Sequence, residues 1–283
     1  MINVSTGGYF NRSASEVSLD LLVNGITDIE LSGGIYSDSL IEALISLKSN
    51  ISFQVHNYFP PSSHPFVLNL ASLDETVSSR TLAHMKNSIE LASILGAKKY
   101  SFHAGFLLDP KVNELGKRIP NKNLFDRDIA IEVFIQKVIE LSDFAKNFGI
   151  SLMIENNVLS QKNRSEFDEN PFLMADPKEC EQIFQYLPEN ISLLIDVAHL
   201  KISANSLKFN PELFFEIMDS RVGGYHLSDN DGLSDTNHKF NDVAWFWPFI
   251  KKDLNYYTIE VYNESYETLK ALVNLTFRKI HSL

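Results

Sequence analysis

ISLMIE, residues 150–155, and ISLLID, residues 191–196, are two apolar β-type runs that each finish on a carboxylate. Four further runs finish on a polar, metal-competent side chain: ISFQVH on His56, KKYSFH on His103, VGGYH on His226 and YYTIE on Glu260. Strand-end placement of this kind predicts a convergent site. In a parallel barrel all strand C-termini open on one face, so residues far apart in sequence meet there.

Working outward, short β-type runs alternate with longer helical ones. Strands are expected at 2–6, 27–31, 51–56, 98–103, 150–155, 191–196, 222–227 and 256–261. Helices are expected near 14–24, 38–49, 72–95, 128–148, 177–187, 211–219, 243–253 and 266–281. Ser37, Asp176-Pro177 and Asn210-Pro211 read as helix starts, with proline suited to the first turn. Gly96 and Gly149 sit just past helical runs, where a left-handed C-terminal residue is common. Eight β-then-α units imply right-handed crossovers and a closed, single (β/α)8 barrel. No linker or low-complexity tract divides the chain, so residues 1–283 are expected to form one domain. The long polar connections 104–127 and 156–176 follow strands that end in candidate ligands and suit either a lid or ordinary surface loops.

At 283 residues, with 44% apolar residues and 20 Phe, the chain has ample material for a substantial core. No apolar run approaches the length of a membrane span, and MINVSTGGYF lacks the pattern of a secretory signal. A lone cysteine, Cys180, forms no internal disulfide and suits a reducing cytoplasm, the expected location. Asn-x-Ser/Thr triplets are then chance matches. The net charge of −11 disfavours a polyanion partner, although metal ligands contribute to it.

Glu155 is followed by Asn156 and Asn157; a carboxylate after four apolar strand residues is costly if left unpaired. At a barrel mouth it serves as ligand or base. Asp196 and His199 form Asp-x-x-His, a spacing that aims both at one centre where strand turns into helix. Taken singly, each strand-end histidine or acid is better read as a cap or an ion-pair partner. Taken together, they would need several independent buried partners, whereas one shared cation accounts for the group. Carboxylate and imidazole sets suit Mn²⁺, Zn²⁺, Co²⁺ or Mg²⁺. Tyr9, Phe10, Tyr58, Phe59, Phe106, Trp245 and Trp247 follow strands and suit either a wall for a sugar ring or packing of the helical layer, with packing favoured for Trp247. DNDG is no EF-hand, since aligning Gly232 to the turn glycine puts Leu227 and His238 at ligand positions. Gly7-Gly8 and Gly33-Gly34 match no phosphate-binding loop.

With these residues in view, the sequence resembles the xylose isomerase-like TIM barrels, the superfamily of sugar isomerases, sugar epimerases and endonuclease IV. The resemblance covers most of the chain. It implies a Glu–Asp–His–Glu metal site at the ends of the fifth to eighth strands, matching Glu155, Asp196, His226 and Glu260. His199 resembles the substrate-contacting histidine of the epimerases, and His226-Leu-Ser-Asp-Asn-Asp-Gly232 resembles a seventh-strand motif of sugar isomerase homologues. The endonuclease IV branch adds histidines after the third and fourth strands, matched by His56 in HNYFPP and His103 in FHAGF, and Asn69-Leu-Ala-Ser is similar to its third-strand region. Its Asp-x-His pair is broken here: His238 is present in DTNH, but Thr236 stands two residues before it and Asp235 one further.

The resemblance implies a metal-dependent isomerase or epimerase of a sugar or sugar derivative, working through an enediolate, in carbohydrate metabolism. Glu155 and Glu260 would share the acid–base work, and His56, His103, His199 and Tyr58 would contact substrate. The competing expectation is a phosphodiester hydrolase acting on abasic DNA, with His56, His103, His199 and His238 as additional ligands. A small sugar is the expected partner, nucleic acid is disfavoured, and the reading leaves room for a homo-oligomer.

Overall fold

A computed structural model of the protein describes residues 1–281. Eight parallel strands pair in sequence order and close on themselves: β1 (Ile2–Ser5), β2 (Asp28–Leu31), β3 (Ser52–His56), β4 (Lys99–His103), β5 (Ser151–Glu155), β6 (Ile191–Asp196), β7 (Val222–Leu227) and β8 (Tyr257–Ile259). The helices are α1 (Ala14–Val23), α2 (Leu40–Leu47), α3 (Glu75–Leu95), α4 (Arg127–Lys146), α5 (Gln161–Arg164), α6 (Pro177–Phe184), α7 (Val197–Leu207), α8 (Pro211–Met218) and α9 (Tyr266–His281). The expected (β/α)8 TIM barrel is the observed fold. Among the described residues, no helix is long and apolar enough to cross a membrane.

Register brings the strand ends together. His103 lies opposite Glu155 on the β4–β5 pair, and Asp196 opposite His226 on β6–β7. The outer faces of the strands pack on the helices through residues such as Ile29, Val55, Phe102, Ile154 and Ile195, all essentially free of solvent. Inside the barrel, Met153, Leu194 and Tyr256 form a small separate layer beneath the strand ends. Below it Lys99 Nζ donates to the Gly223 carbonyl at 2.9 Å.

Three local outcomes differ from expectation. The run 243–253 forms only a short 3-10 turn at Trp247–Phe249. Pro248 lacks a donor and restricts the residue before it. The segment is pinned by aromatic packing of Phe240, Phe246 and Trp247, and by the Trp247 indole donating to Asn241 O at 2.8 Å. Conversely, α7 is an additional helix directly after β6. It is buried on most sides, so it lacks the two-faced pattern that marks an amphipathic helix in sequence. The connection 156–176 also contains the short α5.

The two long connections after β4 and β5 make one ordered lobe. Phe106 pairs with Phe172 across a β-bridge, and Leu108, Ile119, Leu159, Phe167, Phe172 and Ala175 form a small core of their own. Asn157 Nδ2 donates to the carbonyls of Ala104, Gly105 and Leu173. Asn69 reaches the same lobe by donating to Phe106 O, Leu108 O and Asp109, so the NLAS stretch braces a loop. Gly105 has to be glycine: an added Cβ would stand 2.5 Å from the Ala71 Cβ.

Candidate metal centre

Glu155 and Asp196 are the last residues of β5 and β6, His226 is next to last in β7, and Glu260 follows β8 directly. All four are buried. One donor atom from each lies within 4.8 Å of those of the other three. His226 Nδ1 is 2.8 Å from Glu260 Oε2, 3.6 Å from Glu155 Oε1 and 4.0 Å from Asp196 Oδ2. These are ion-pair distances, yet the directional geometry of a hydrogen bond is missing. Both Glu155 oxygens, Asp196 Oδ2 and His226 Nδ1 are buried with no hydrogen-bond partner among the described residues. Leaving such groups unpaired in a dry interior costs several kcal/mol each. Four orphaned or converging donors at one point fit a divalent cation, and three carboxylates with one imidazole suit the harder members of the divalent series.

The chain builds each donor with a visible division of labour. Asp196 caps α7: its Oδ1 accepts from His199 N at 2.7 Å, while Oδ2 is left facing the cluster. Asn156 clamps the same strand end, accepting from Asp196 N at 2.9 Å and donating to Asp196 O at 3.2 Å. The Glu260 Oε1 accepts from the Tyr262 hydroxyl at 2.8 Å, which leaves Oε2 toward His226. Tyr262 is accommodated because Gly8 has no side chain; a Cβ there would stand 2.6 Å from the Tyr262 ring. Gly7-Gly8, with no phosphate-binding pattern, thus has a packing role beside the centre.

A second group shares Glu155 with the first. His56, His103 and Glu155 also bring donor atoms within 4.8 Å of one another. Glu155 Oε2 is 3.3 Å from His56 Nε2 and 3.6 Å from His103 Nδ1. His199 lies on the other side, with Nδ1 3.2 Å from Glu155 Oε1 and Nε2 3.2 Å from Asp235 Oδ2. Asp235 therefore does reach this site, through His199.

The charges are in conflict. Burial alone would raise the Glu155 carboxyl, but His103, His226 and His56 outweigh it and hold it well below the usual range. Burial, against His199 but with Glu155 and Glu260 reinforcing it, pushes Asp196 up to about 7. For His226 burial opposes charging, and Glu30, Glu155 and Glu260 overcome it, so its pKa rises well above that of free imidazole. Burial opposes charging of His199 as well, and Asp196 and Asp235 outweigh it, again raising the pKa. His56 is driven down to about 3 by burial, against the pull of Glu155 and Glu30. One carboxylate held low beside another pushed high is the pattern that a shared cation resolves.

Not every candidate joins the group. Tyr58 stacks on His84 of α3 at 4.8 Å between ring centres and contacts Phe66, so the structure brings it to a loop–helix aromatic cluster. His238 is exposed; its backbone pairs with Asp229, and it belongs to none of the three convergent donor groups found among the described residues, the third being Glu30, His56 and His226. Cys180 is fully buried on α6, where burial pushes its thiol well above the usual range. Residues absent from the sequence reading are Glu30, Tyr256 and Tyr262. Glu30 carried a signal in principle, an acid between Ile29 and Leu31 in the β-type run TDIEL.

No curated protein matches the chain in sequence. Among solved structures, a D-tagatose 3-epimerase-like protein superposes with a TM-score of 0.70 at 20% identity, covering 99% of both chains. The 3-keto-D-glucoside 4-epimerase YcjR from E. coli gives 0.65 at 11% identity, over 96% of this chain and 98% of that one. The IOLI protein with a binding zinc atom gives 0.66 at 13% identity, over 99% and 96%. At these identities the likeness is one of fold. The family model for the xylose isomerase-like TIM barrel matches residues 25–267, most of the sequence. The chain belongs to the xylose isomerase-like TIM barrel family.

Proposed function

We propose that this chain is a divalent-metal-dependent isomerase or epimerase of a sugar or sugar derivative. The observation that carries the reading is the convergence of Glu155, Asp196, His226 and Glu260 with their buried, unpartnered donor atoms. Support for the substrate class comes from the sugar epimerases among the structural neighbours. Glu155, Asp196, His226 and Glu260 would hold Mn²⁺, Co²⁺, Zn²⁺ or Mg²⁺. When bound, the ion polarises a carbonyl and stabilises negative charge on neighbouring substrate oxygens.

The chain's own residues supply proton movement and orientation. Glu155 and Glu260 each have two oxygens, so one can exchange a proton with substrate while the other serves as ligand. One of them removes the proton from the carbon beside the carbonyl, and the other returns a proton to complete isomerisation or inversion. Tyr262 keeps Glu260 oriented. His199, with Nδ1 held by the Asn156 carbonyl, would turn Nε2 to a substrate hydroxyl in place of its bond to Asp235. His56 and His103 line the Glu155 side and contact substrate there.

A second reading is a metal-dependent phosphodiester hydrolase acting on abasic DNA, and the His56–His103–Glu155 group is the observation that favours it. Against it stand the exposed His238 and the net charge of −11. Incubation of the metal-loaded protein with a panel of ketoses and aldoses in D₂O separates the two. Deuterium next to the carbonyl, or conversion to an isomer or epimer, is the expected result. Metal-dependent nicking of abasic DNA, with every sugar returned unchanged, overturns the assignment in favour of the hydrolase.

A further inference from the structure

Glu30 is a carboxylate with no solvent exposure on β2, between the apolar residues Ile29 and Leu31. Its side chain reaches His226 of β7 across the barrel interior. Its Oε2 lies 3.1 Å from His226 Nε2 and accepts from Thr258 Oγ1 at 3.0 Å and from the Tyr256 hydroxyl. No lysine or arginine is among these partners. A desolvated acid held only by neutral donors and one imidazole is an expensive feature of a barrel interior, and an apolar residue would fill the position more cheaply.

We infer that Glu30 is a positioning residue for the metal centre: it fixes the ring and tautomer of His226 so that Nδ1 faces Glu155, Asp196 and Glu260. An imidazole ligates through a nitrogen that carries no proton, and which nitrogen that is follows from the hydrogen bond made by the other. With Nε2–H donating to Glu30, Nδ1 is left for the cluster, 2.8 Å from Glu260 Oε2. Tyr256 steadies the carboxylate. Its hydroxyl also stands 3.5 Å from Ser101 Oγ, which is 2.9 Å from His56 Nδ1. The backs of both buried histidines are thus tied to one polar network beneath the centre. This inference rests on the metal-centre reading and assigns Glu30, whose donor atoms also converge with those of His56 and His226 within 4.8 Å, to support of a ligand rather than to ligation.

The test is calorimetric titration of the full chain with Mn²⁺, paired with thermal melts of the metal-free protein. The parent is expected to bind, and Glu30→Gln to bind about 10- to 100-fold more weakly, as loss of a ligand's hydrogen-bonded support does elsewhere. The metal-free protein should still melt cooperatively, at a somewhat lower temperature, because His226 loses the charge that Glu30 sets against it. A folded Glu30→Gln protein with parental affinity overturns the positioning role while leaving the centre intact. So does a fall from two bound ions to one, which would make Glu30 a ligand. A parent that binds no metal overturns both readings. Tyr256→Phe keeps Glu30 but frees its carboxylate, and covers the case in which Glu30→Gln does not fold. It should weaken Mn²⁺ binding in the same direction but less, and unchanged affinity counts against the network.

Discussion

Asn69 and Asn157 lie at the same end of the barrel as Glu155 and Asp196 and are almost as deeply buried. The side-chain amides of both asparagines are engaged. Asn157 Nδ2 serves three carbonyls at 2.9 to 3.1 Å, and Asn69 uses both ends of its amide on the same lobe. Glu155 has no hydrogen bond at either oxygen, and Asp196 has one oxygen capped and one bare. Buried polar groups in folded proteins are overwhelmingly paired. The contrast therefore separates polar side chains that complete the fold from those held ready for something the fold does not supply.

The largest effect expected from that contrast falls on catalysis. Glu155→Gln or Glu260→Gln should lower turnover by about 10²- to 10⁴-fold or more, the range for loss of an acid–base group, with the fold retained. The metal-free Glu155→Gln protein should fold but melt below the parent, since the histidines that hold the carboxylate in its charged form lose their partner. Near-parental turnover in either variant would sink the catalytic assignment of that glutamate.

Next in size is the response to metal. Stripping the protein with a chelator should lower its stability by about 3–4 kcal/mol relative to protein held at 100 to 1,000 times the dissociation constant, and restoring Mn²⁺ should reverse the loss. The same cycle applied to Glu155→Gln should move the melting temperature little. An equal shift in both proteins would mean that the ion binds elsewhere.

Asn157→Ala tests the opposite half of the comparison. Removing its amide strips donors from three buried carbonyls, so a loss of roughly 1–3 kcal/mol is expected in denaturant unfolding. Mn²⁺ affinity should stay close to that of the parent. A variant of undiminished stability that binds metal poorly would reverse the roles assigned to the two sets.

Much of this was legible in sequence for physical reasons. The eight strands appear because a closed parallel barrel buries them on both faces, which writes them as apolar runs. Four ligand candidates appear because each such run ends abruptly on an acid or histidine at the mouth. Glu30 escaped because its run, TDIEL, ends on Leu31 and the acid points to the barrel interior one residue earlier. The α7 helix escaped because burial on most sides erases its two-faced pattern, although its cap, Asp196, was already singled out as a ligand. His238 sat in a loop whose course depends on tertiary contacts such as the Asp229–His238 bridge, which no local pattern encodes.

His84 sharpens the comparison from outside the site. Its Nε2 is buried and unpartnered like the orphaned donors of the centre, but no second ligand converges on it. Its ring is stacked on Tyr58 and set edge-on to Phe66, which also carries the Arg80 guanidinium 3.9 Å above it. An isolated orphan of this kind is tolerated by staying neutral. Burial, with Arg80 adding repulsion, pushes the His84 pKa down to about 4 from the usual 6.5. The unfolded chain then takes up a proton first as pH falls. The stability that the neutral ring contributes is fully present above about 6.5 and is lost as pH drops toward 4. His84→Phe keeps the stack and removes this linkage. Compared across that window, the variant should lose about 1–2 kcal/mol less than the parent, a value set below the full linkage because the ring is only partly enclosed. Mn²⁺ binding should be unchanged. If the two proteins show parallel pH–stability curves, His84 is not held neutral by its surroundings, and an unpartnered nitrogen outside a converging group would need a different explanation.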